Sequence, residues 1–171
     1  MTNDQLSVFN KIILGPRGKV GGPFPALLRL PKAADLLQEL GSWLRFESDL
    51  SPNLREIAIL TAARYWHCEI EWKVHELIAK REGINPKLID AINEKKIPSK
   101  GLPEELATLN FCTELLNKKF VEDSIYNKVV KELGLKWTIE LTVILGYYTL
   151  LSMVLNVFEP STNNQNKKAN N

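Results

Sequence analysis

Most of the side chains that could do chemistry in this protein lie within residues 55–83. Four of them, Glu56, Cys68, Glu71 and His75, share one largely apolar segment, which contains both histidines of the chain and one of its two cysteines. Three bulky aromatic residues accompany them: Tyr65, Trp66 and Trp72. A thiol, carboxylates and an imidazole are the groups that proteins use for acid–base and nucleophilic catalysis.

The spacing of three of these residues predicts that they meet. Cys68, Glu71 and His75 follow one another at intervals of three and four residues, which places them on one stripe of a helix. Trp72 lies beside this stripe, where its indole would limit access of water. Shielding from water raises the pKa of a carboxyl group, and a neighbouring carboxylate keeps an imidazole protonated. This combination suits general acid–base catalysis near neutral pH.

The spacing of the sequence does not show whether Glu56 lies near the other three residues. Ser51 and Pro52 suit the start of a helix, and Gly83 suits its end, so one helical segment is predicted over residues 52–83. In a straight helix Glu56 would stand about 22 Å from Glu71 along the axis. It reaches the stripe only if the segment breaks or if another subunit supplies it. Residues 62–74 contain neither glycine nor proline to mark a break.

The elements that must position these groups are all helical. No stretch alternates with a period of two, and apolar residues recur at helical spacing. We predict an all-α fold of about seven helices in a single domain, residues 1–160, followed by a polar, disordered tail, residues 161–171. One helical turn is expected over residues 26–30, and the helices are expected over residues 4–14, 31–46, 52–83, 86–93, 103–118, 122–133 and 136–158.

Composition argues against several classes of partner. The chain has 22 basic and 20 acidic side chains and a net charge of +2, without basic blocks interleaved with aromatics, so no nucleic-acid partner is expected. Two cysteines make no disulfide framework, and no zinc-type spacing occurs. We therefore expect no metal and no cofactor. The N-terminus lacks the features of a secretory signal, and a reducing, cytoplasmic location is predicted.

The last predicted helix is nearly all apolar. Residues 137–158 are interrupted only by Glu140 and Asn156. A membrane span needs about 20 mostly apolar residues, which makes this segment marginal. A helix that is apolar on all sides also suits a large core or an oligomer interface. We favour the buried helix and expect no membrane association.

A longer motif surrounds the candidate site. The pattern R-E-x-A-I-L-x-x-A-R-x-x-x-x-x-x-E-W-x-x-H over residues 55–75, with A-x-x-x-G-I over residues 79–84, resembles the carboxymuconolactone decarboxylase family, which includes the alkyl hydroperoxidase D peroxidases. Residues 105–116 and 140–160 are similar to that family as well. The resemblance implies an alkyl hydroperoxidase D-like helical fold and a homo-oligomer, often a trimer or hexamer.

The resemblance implies two different activities. In the peroxidase branch Glu56 matches a relay glutamate, Cys68 the first cysteine of a Cys-x-x-Cys pair and His75 the relay histidine. Glu71 occupies the position of the second cysteine. Without that vicinal thiol Cys68 cannot form the reversible disulfide of the cycle, which leaves Cys112 as a distant candidate for a resolving thiol.

The decarboxylase branch lacks the cysteine pair and relies on acid–base residues. The resemblance then implies a lyase in which Glu56, Glu71 and His75 transfer protons on a small, carboxylated, lactone-type substrate. Arg45 and Trp72 are predicted to contact that substrate. The first alternative is a peroxiredoxin-like antioxidant oxidoreductase that acts through Cys68. The second is a non-catalytic helical oligomer whose former site is only packed.

Each of these residues also has a purely structural interpretation. Glu71 and His75 could form a surface pair one helical turn apart, and Cys68 could be a buried small hydrophobe. His67 has no evident partner and is interpreted as solvated or packed. Trp66 and Trp72 suit the core.

Overall fold

The structure, a computed structural model, describes residues 1–158, and these residues are all-α as predicted: they contain helices and no strand. A short π-helical turn, Trp43–Glu47, follows the third helix. The described residues form nine α-helices: the seven expected helices become eight because the central segment divides, and the helical turn expected before Pro31 is the ninth. The nine are α1 (Asn3–Leu14), α2 (Phe24–Leu27), α3 (Pro31–Ser42), α4 (Pro52–Tyr65), α5 (Glu69–Arg81), α6 (Pro86–Asn93), α7 (Pro103–Lys118), α8 (Asp123–Leu133) and α9 (Leu135–Phe158). The predicted tail, residues 161–171, lies outside the described residues.

The chain divides into two compact units. Among the described residues, the first comprises residues 1–49 together with residues 153–158, and the second comprises residues 50–152. In the first unit α1 and α2 pack against α3. Thr2 and Gln5 form a reciprocal capping box at the start of α1, an arrangement that satisfies two backbone N–H groups that a helix start leaves unpaired.

Helix α4 is the centre of the second unit. Its residues 56–63 are all buried, and it packs against α5, α6 and α7. A helix that is apolar on almost every side belongs in the interior. The one ionisable group within this buried run is Glu56, which places a carboxyl group in the middle of the core.

The prediction of one helix over residues 52–83 is wrong. Helix α4 ends at Tyr65 and α5 begins at Glu69, because His67 takes a left-handed backbone conformation with φ of 51°. The N–H of Cys68 donates to the carbonyl of Ala63 at 2.9 Å. This bond between residues five apart is typical of a helix end at which the residue after the C-cap, here His67, is left-handed. A histidine stands where a glycine would mark the turn. The predicted stop at Gly83, with φ of 81°, is confirmed.

Helix α9 is buried on one side only. Among residues 1–158 it is the one helix long and apolar enough to cross a membrane, with a mean hydropathy of 1.8 over an 18-residue window of which 44% is buried. A core helix of a soluble protein has the same length and composition. Leu141, Ile144 and Leu145 belong to the buried side.

Candidate functional site

The turn at His67 brings Glu56 and His75 together within one chain. Glu56 comes from α4 and His75 from α5, and the Oε2 atom of Glu56 lies 2.7 Å from Nδ1 of His75. On the other side of the ring, Nε2 lies 3.4 Å from Oε2 of Glu71. The exposed fractions are 3% for Glu56, 6% for Glu71 and 2% for His75. One imidazole thus bridges two buried carboxyl groups, and we refer to these residues as the Glu56–His75–Glu71 cluster.

The surroundings of His75 favour its charged form. Burial by itself lowers the pKa of His75, but the Glu56 and Glu71 carboxyl groups on either side of the ring act in the opposite direction and leave the pKa above its ordinary value. A protonated imidazole donates from both ring nitrogens, which fits a carboxyl oxygen on each side. A buried charge persists in a protein interior only when it is paired in this way.

Tyr148 of α9 completes the surroundings of the imidazole. Its ring stands edge-on to that of His75, with centroids 5.1 Å apart and an interplanar angle of 86°. Tyr147 meets Tyr148 in a similar geometry at 5.3 Å. This neighbour of His75 was not predicted from the sequence, because residues 73 positions apart meet only through tertiary packing.

Cys68 lies next to the cluster, at the residue that precedes α5. It is buried, and burial is the main cause that raises the pKa of its thiol; the Glu71 carboxyl group raises it further, against backbone N–H groups of α5 that lower it. The hydroxyl of Ser152 lies close enough to lower this pKa as well, although it makes no hydrogen bond of ordinary geometry. The net shift favours the neutral thiol, which is a poor nucleophile.

Cys112 is a buried core residue. It is fully buried in α7 and free, and burial raises the pKa of its thiol strongly. No charged side chain contributes to this shift, in contrast to the shift of Cys68. A resolving role for Cys112 therefore has little chemical support, since the thiolate is the reactive form.

Trp72 is buried in the core. It is 6% exposed, and the guanidinium of Arg64 lies 4.2 Å from the centre of its ring. Arg64 also pairs with Glu69 at 2.9 Å, and its Nε atom is buried without a hydrogen-bond partner among residues 1–158. Substrate contact by Trp72 remains a prediction.

Arg45 lies in the first compact unit, in the π-helical turn. Its guanidinium is 5.0 Å from the centre of the Phe46 ring. The side chain is half-buried, and its predicted role in binding a substrate is untested.

Other ionisable groups border four cavities that do not include the cluster or Cys68. One of about 50 Å³ lies near the C-terminal end of α4 and is bordered by Arg64, Lys95 and Lys96. The exposed His67 places Nε2 3.2 Å from Nζ of Lys95, so the predicted solvated residue has a neighbour after all. Another cavity, of about 500 Å³, is bordered by Glu105, whose pKa is raised by burial and by Glu104. The remaining two lie in the first unit.

No metal centre is formed by the described part of the chain. Within residues 1–158 no group of three or more histidine, cysteine, aspartate or glutamate side chains is arranged to hold a metal ion. The carboxyl and imidazole groups of the cluster are groups that transfer protons in acid–base catalysis.

The described residues form an all-helical fold that holds a histidine between two buried carboxyl groups, beside a cysteine. Residues 31–114 match the sequence model of the carboxymuconolactone decarboxylase family. This segment, just under half of the 171 residues, is similar to that family. The match runs from α3 into α7 and includes Glu56, Cys68, Glu71 and His75. No curated protein matches the chain.

Proposed function

We propose that this protein is a carboxymuconolactone decarboxylase-like lyase that acts on a small, carboxylated, lactone-type substrate. The observation that carries the proposal is the position of His75 between Glu56 and Glu71, at 2.7 Å and 3.4 Å. A raised pKa of His75 makes it an acid that still holds its proton near neutral pH, which a general acid requires.

The proposed reaction breaks the bond between a substrate carbon and its carboxylate. Carbon dioxide leaves, and the electron pair stays on the carbon, where the unsaturated lactone delocalises it. A proton from the Nε2 side of His75, directly or through Glu71, then forms the new C–H bond. Glu56 holds Nδ1 at 2.7 Å and would stabilise the charged ring before the transfer, as carboxylates that orient a histidine do in other sites.

The test is release of carbon dioxide from 4-carboxymuconolactone and related carboxylated lactones. We expect His75→Ala to reduce turnover at least about 100-fold, the lower range of what general acid–base groups contribute. Glu71→Gln should reduce it as well. The matched control is Glu76→Gln, which removes a carboxylate of α5 that pairs with Lys80 on the surface. Unchanged turnover in both His75→Ala and Glu71→Gln contradicts the proposal.

A peroxidase-like activity is the second candidate, and the position of Cys68 at the start of α5, where backbone N–H groups act to lower the pKa of its thiol, favours it. Hydroperoxide would oxidise the Cys68 thiol to a sulfenic acid, with the alcohol as the other product, and an external thiol would reduce it. Treatment with cumene hydroperoxide and dimedone, followed by mass spectrometry, measures this directly. Absence of a Cys68 adduct, with Cys112 as the internal reference, excludes this activity.

A non-catalytic helical oligomer is the remaining alternative, and the burial of all four site residues favours it. It predicts that no carboxylated lactone changes the NMR signals of His75, whereas the lyase requires such a change. Assembly as a trimer or hexamer and a cytoplasmic location are part of our proposal and follow from the family and from cysteine usage. Gel filtration with light scattering measures the assembly.

A further inference from the structure

The solvent-facing side of α9 carries an uninterrupted line of apolar residues. Leu135, Ile139, Val143 and Leu150 are each at least 37% exposed, and Gly146 lies among them. Met153 and Val157 continue the same line toward the end of the helix. We call these seven positions the outer stripe. Isolated exposed apolar residues are normal, but a contiguous set of this length marks a surface that another molecule covers.

The spacing of the outer stripe keeps it on one side of the helix. Successive members are three or four residues apart from Leu135 to Val157. At about 100° per residue this confines them to roughly 80° of the circumference, over about 33 Å of helix. A narrow apolar stripe of this kind is what one helix packs against another when two helices lie side by side.

The stripe is nearly the same when read in either direction from Gly146. Leu135 and Val157 lie eleven residues from it, Ile139 and Met153 seven, and Val143 and Leu150 three and four. A two-fold axis through Gly146, perpendicular to the helix, therefore carries the stripe onto itself. A second copy of α9 in the antiparallel orientation would place apolar residues opposite apolar residues along the whole seam, which is the self-complementarity that a two-fold contact needs.

Gly146 stands at the centre of this seam, where two helices would cross. A Cβ atom added at this position would have no heavy atom within 4 Å, so the core does not explain the glycine. A glycine at a helix crossing lets two backbones approach closely. The sequence thus provides a close-contact point where the symmetry axis would pass.

Charges do not oppose this pairing. Between residues 137 and 158 the one ionisable carboxylate or amine is Glu140, which is buried away from the stripe. Lys136 lies ten residues before Gly146, and Asn156 lies ten residues after it. In the antiparallel pair Lys136 would approach the C-terminal end of the second helix, where a cation is favourable.

We propose that α9 pairs with α9 of a second copy in an antiparallel, two-fold contact centred on Gly146. This assigns a surface and an orientation, which the expectation of a homo-oligomer does not, and it is independent of the proposed lyase activity. A two-fold contact builds a dimer or links two trimers into a hexamer. It does not by itself build a trimer.

Disulfide trapping in the full chain tests the orientation. Copies of Gly146→Cys should cross-link to each other on mild oxidation, because two cysteines beside a two-fold axis fall within bonding distance. Ile139→Cys mixed with Met153→Cys should cross-link as a mixed pair, while each alone should not. Leu77→Cys, on the exposed side of α5 with 58% exposure, is the control. Cross-linking of Ile139→Cys to itself, or no preference over Leu77→Cys, overturns the proposal.

Light scattering after gel filtration tests the contact itself. Leu150→Glu and, separately, Val143→Lys should halve the molar mass of the wild-type assembly, and Leu77→Glu should leave it unchanged. Circular dichroism verifies that each variant folds. A monomeric wild type at about 100 μM, an assembly that both substitutions leave intact, or association only with phosphatidylcholine vesicles overturns the proposal. The molar mass of the wild-type assembly does not depend on turnover. The lyase proposal can therefore fail while the pairing of α9 is supported, and the reverse.

Discussion

The interior around α4 and α5 and the outer side of α9 depart from the usual distribution of residues in opposite directions. Glu56, Glu71 and His75 are ionisable and buried, whereas Leu135 and Ile139 are apolar and exposed. The buried groups satisfy one another, since His75 has a carboxyl group on each side. The exposed leucine and isoleucine side chains have no such partner surface within the described chain. The cluster is complete within a single chain, whereas the outer stripe is the surface on which we propose that a second copy packs.

The largest effect is expected at the complete feature. His75→Ala leaves two buried carboxyl groups without their shared partner, and loss of one member of a buried pair costs about 3–5 kcal/mol. The free energy of unfolding from urea titration measures it. Glu76→Ala, which breaks a surface pair with Lys80, should cost less than about 1 kcal/mol. If the two substitutions lowered the free energy of unfolding equally, the buried cluster would be no more important for stability than the surface pair.

The next effect compares the two sides of α9 with the same residue type. Leu145 is 2% exposed and Leu150 is 37% exposed. Leu145→Ala should destabilise the fold by about 2–5 kcal/mol, as buried leucines do, and Leu150→Ala by clearly less. Urea unfolding at low protein concentration, where copies do not associate, makes the measurement. A larger loss for Leu150→Ala would mean that the outer stripe stabilises the single chain.

The pH dependence of stability follows from the raised pKa of His75. Between the unfolded-state pKa of about 6.5 and the higher folded-state pKa, the folded chain binds more protons than the unfolded chain. The stability that charged His75 contributes is therefore complete below that window and is lost as the pH rises through the folded pKa, by about 1.4 kcal/mol for each unit of separation. Unfolding experiments from pH 6 to pH 9 measure the slope. His75→Gln should remove it, and a slope that persists in this variant assigns it to another group.

The smallest effect is expected at the turn between α4 and α5. A left-handed residue other than glycine costs about 1–2 kcal/mol, and glycine loses about 0.5–1 kcal/mol in chain entropy. His67→Gly should therefore stabilise the protein by no more than about 1.5 kcal/mol, the largest difference between these costs. Glu82→Gly at the end of α5, where φ is −75°, should destabilise it. A loss of stability in His67→Gly would show that the side chain, through Lys95, stabilises the turn.

Sequence reasoning predicted most helices and the members of the cluster, and it did not predict the contact that joins them. Apolar periodicity and proline at first helical positions mark elements such as α4 and α7 locally. The turn at His67 has neither glycine nor proline to mark it, so the contact of α5 with α4 could not be read from the local sequence. Tyr148 against His75 and Arg64 over Trp72 were missed for the same reason, since both depend on distant packing.

The two sides of helix α9 move together because they belong to one rigid helix. Tyr148, whose ring meets His75, is two residues from Gly146 on the opposite side, and a helix is only about 10–12 Å across. A rigid displacement of this rod would move the tyrosine ring against the imidazole by the same distance. A force applied to the outer side of α9 would therefore change the packing of Tyr148 against His75.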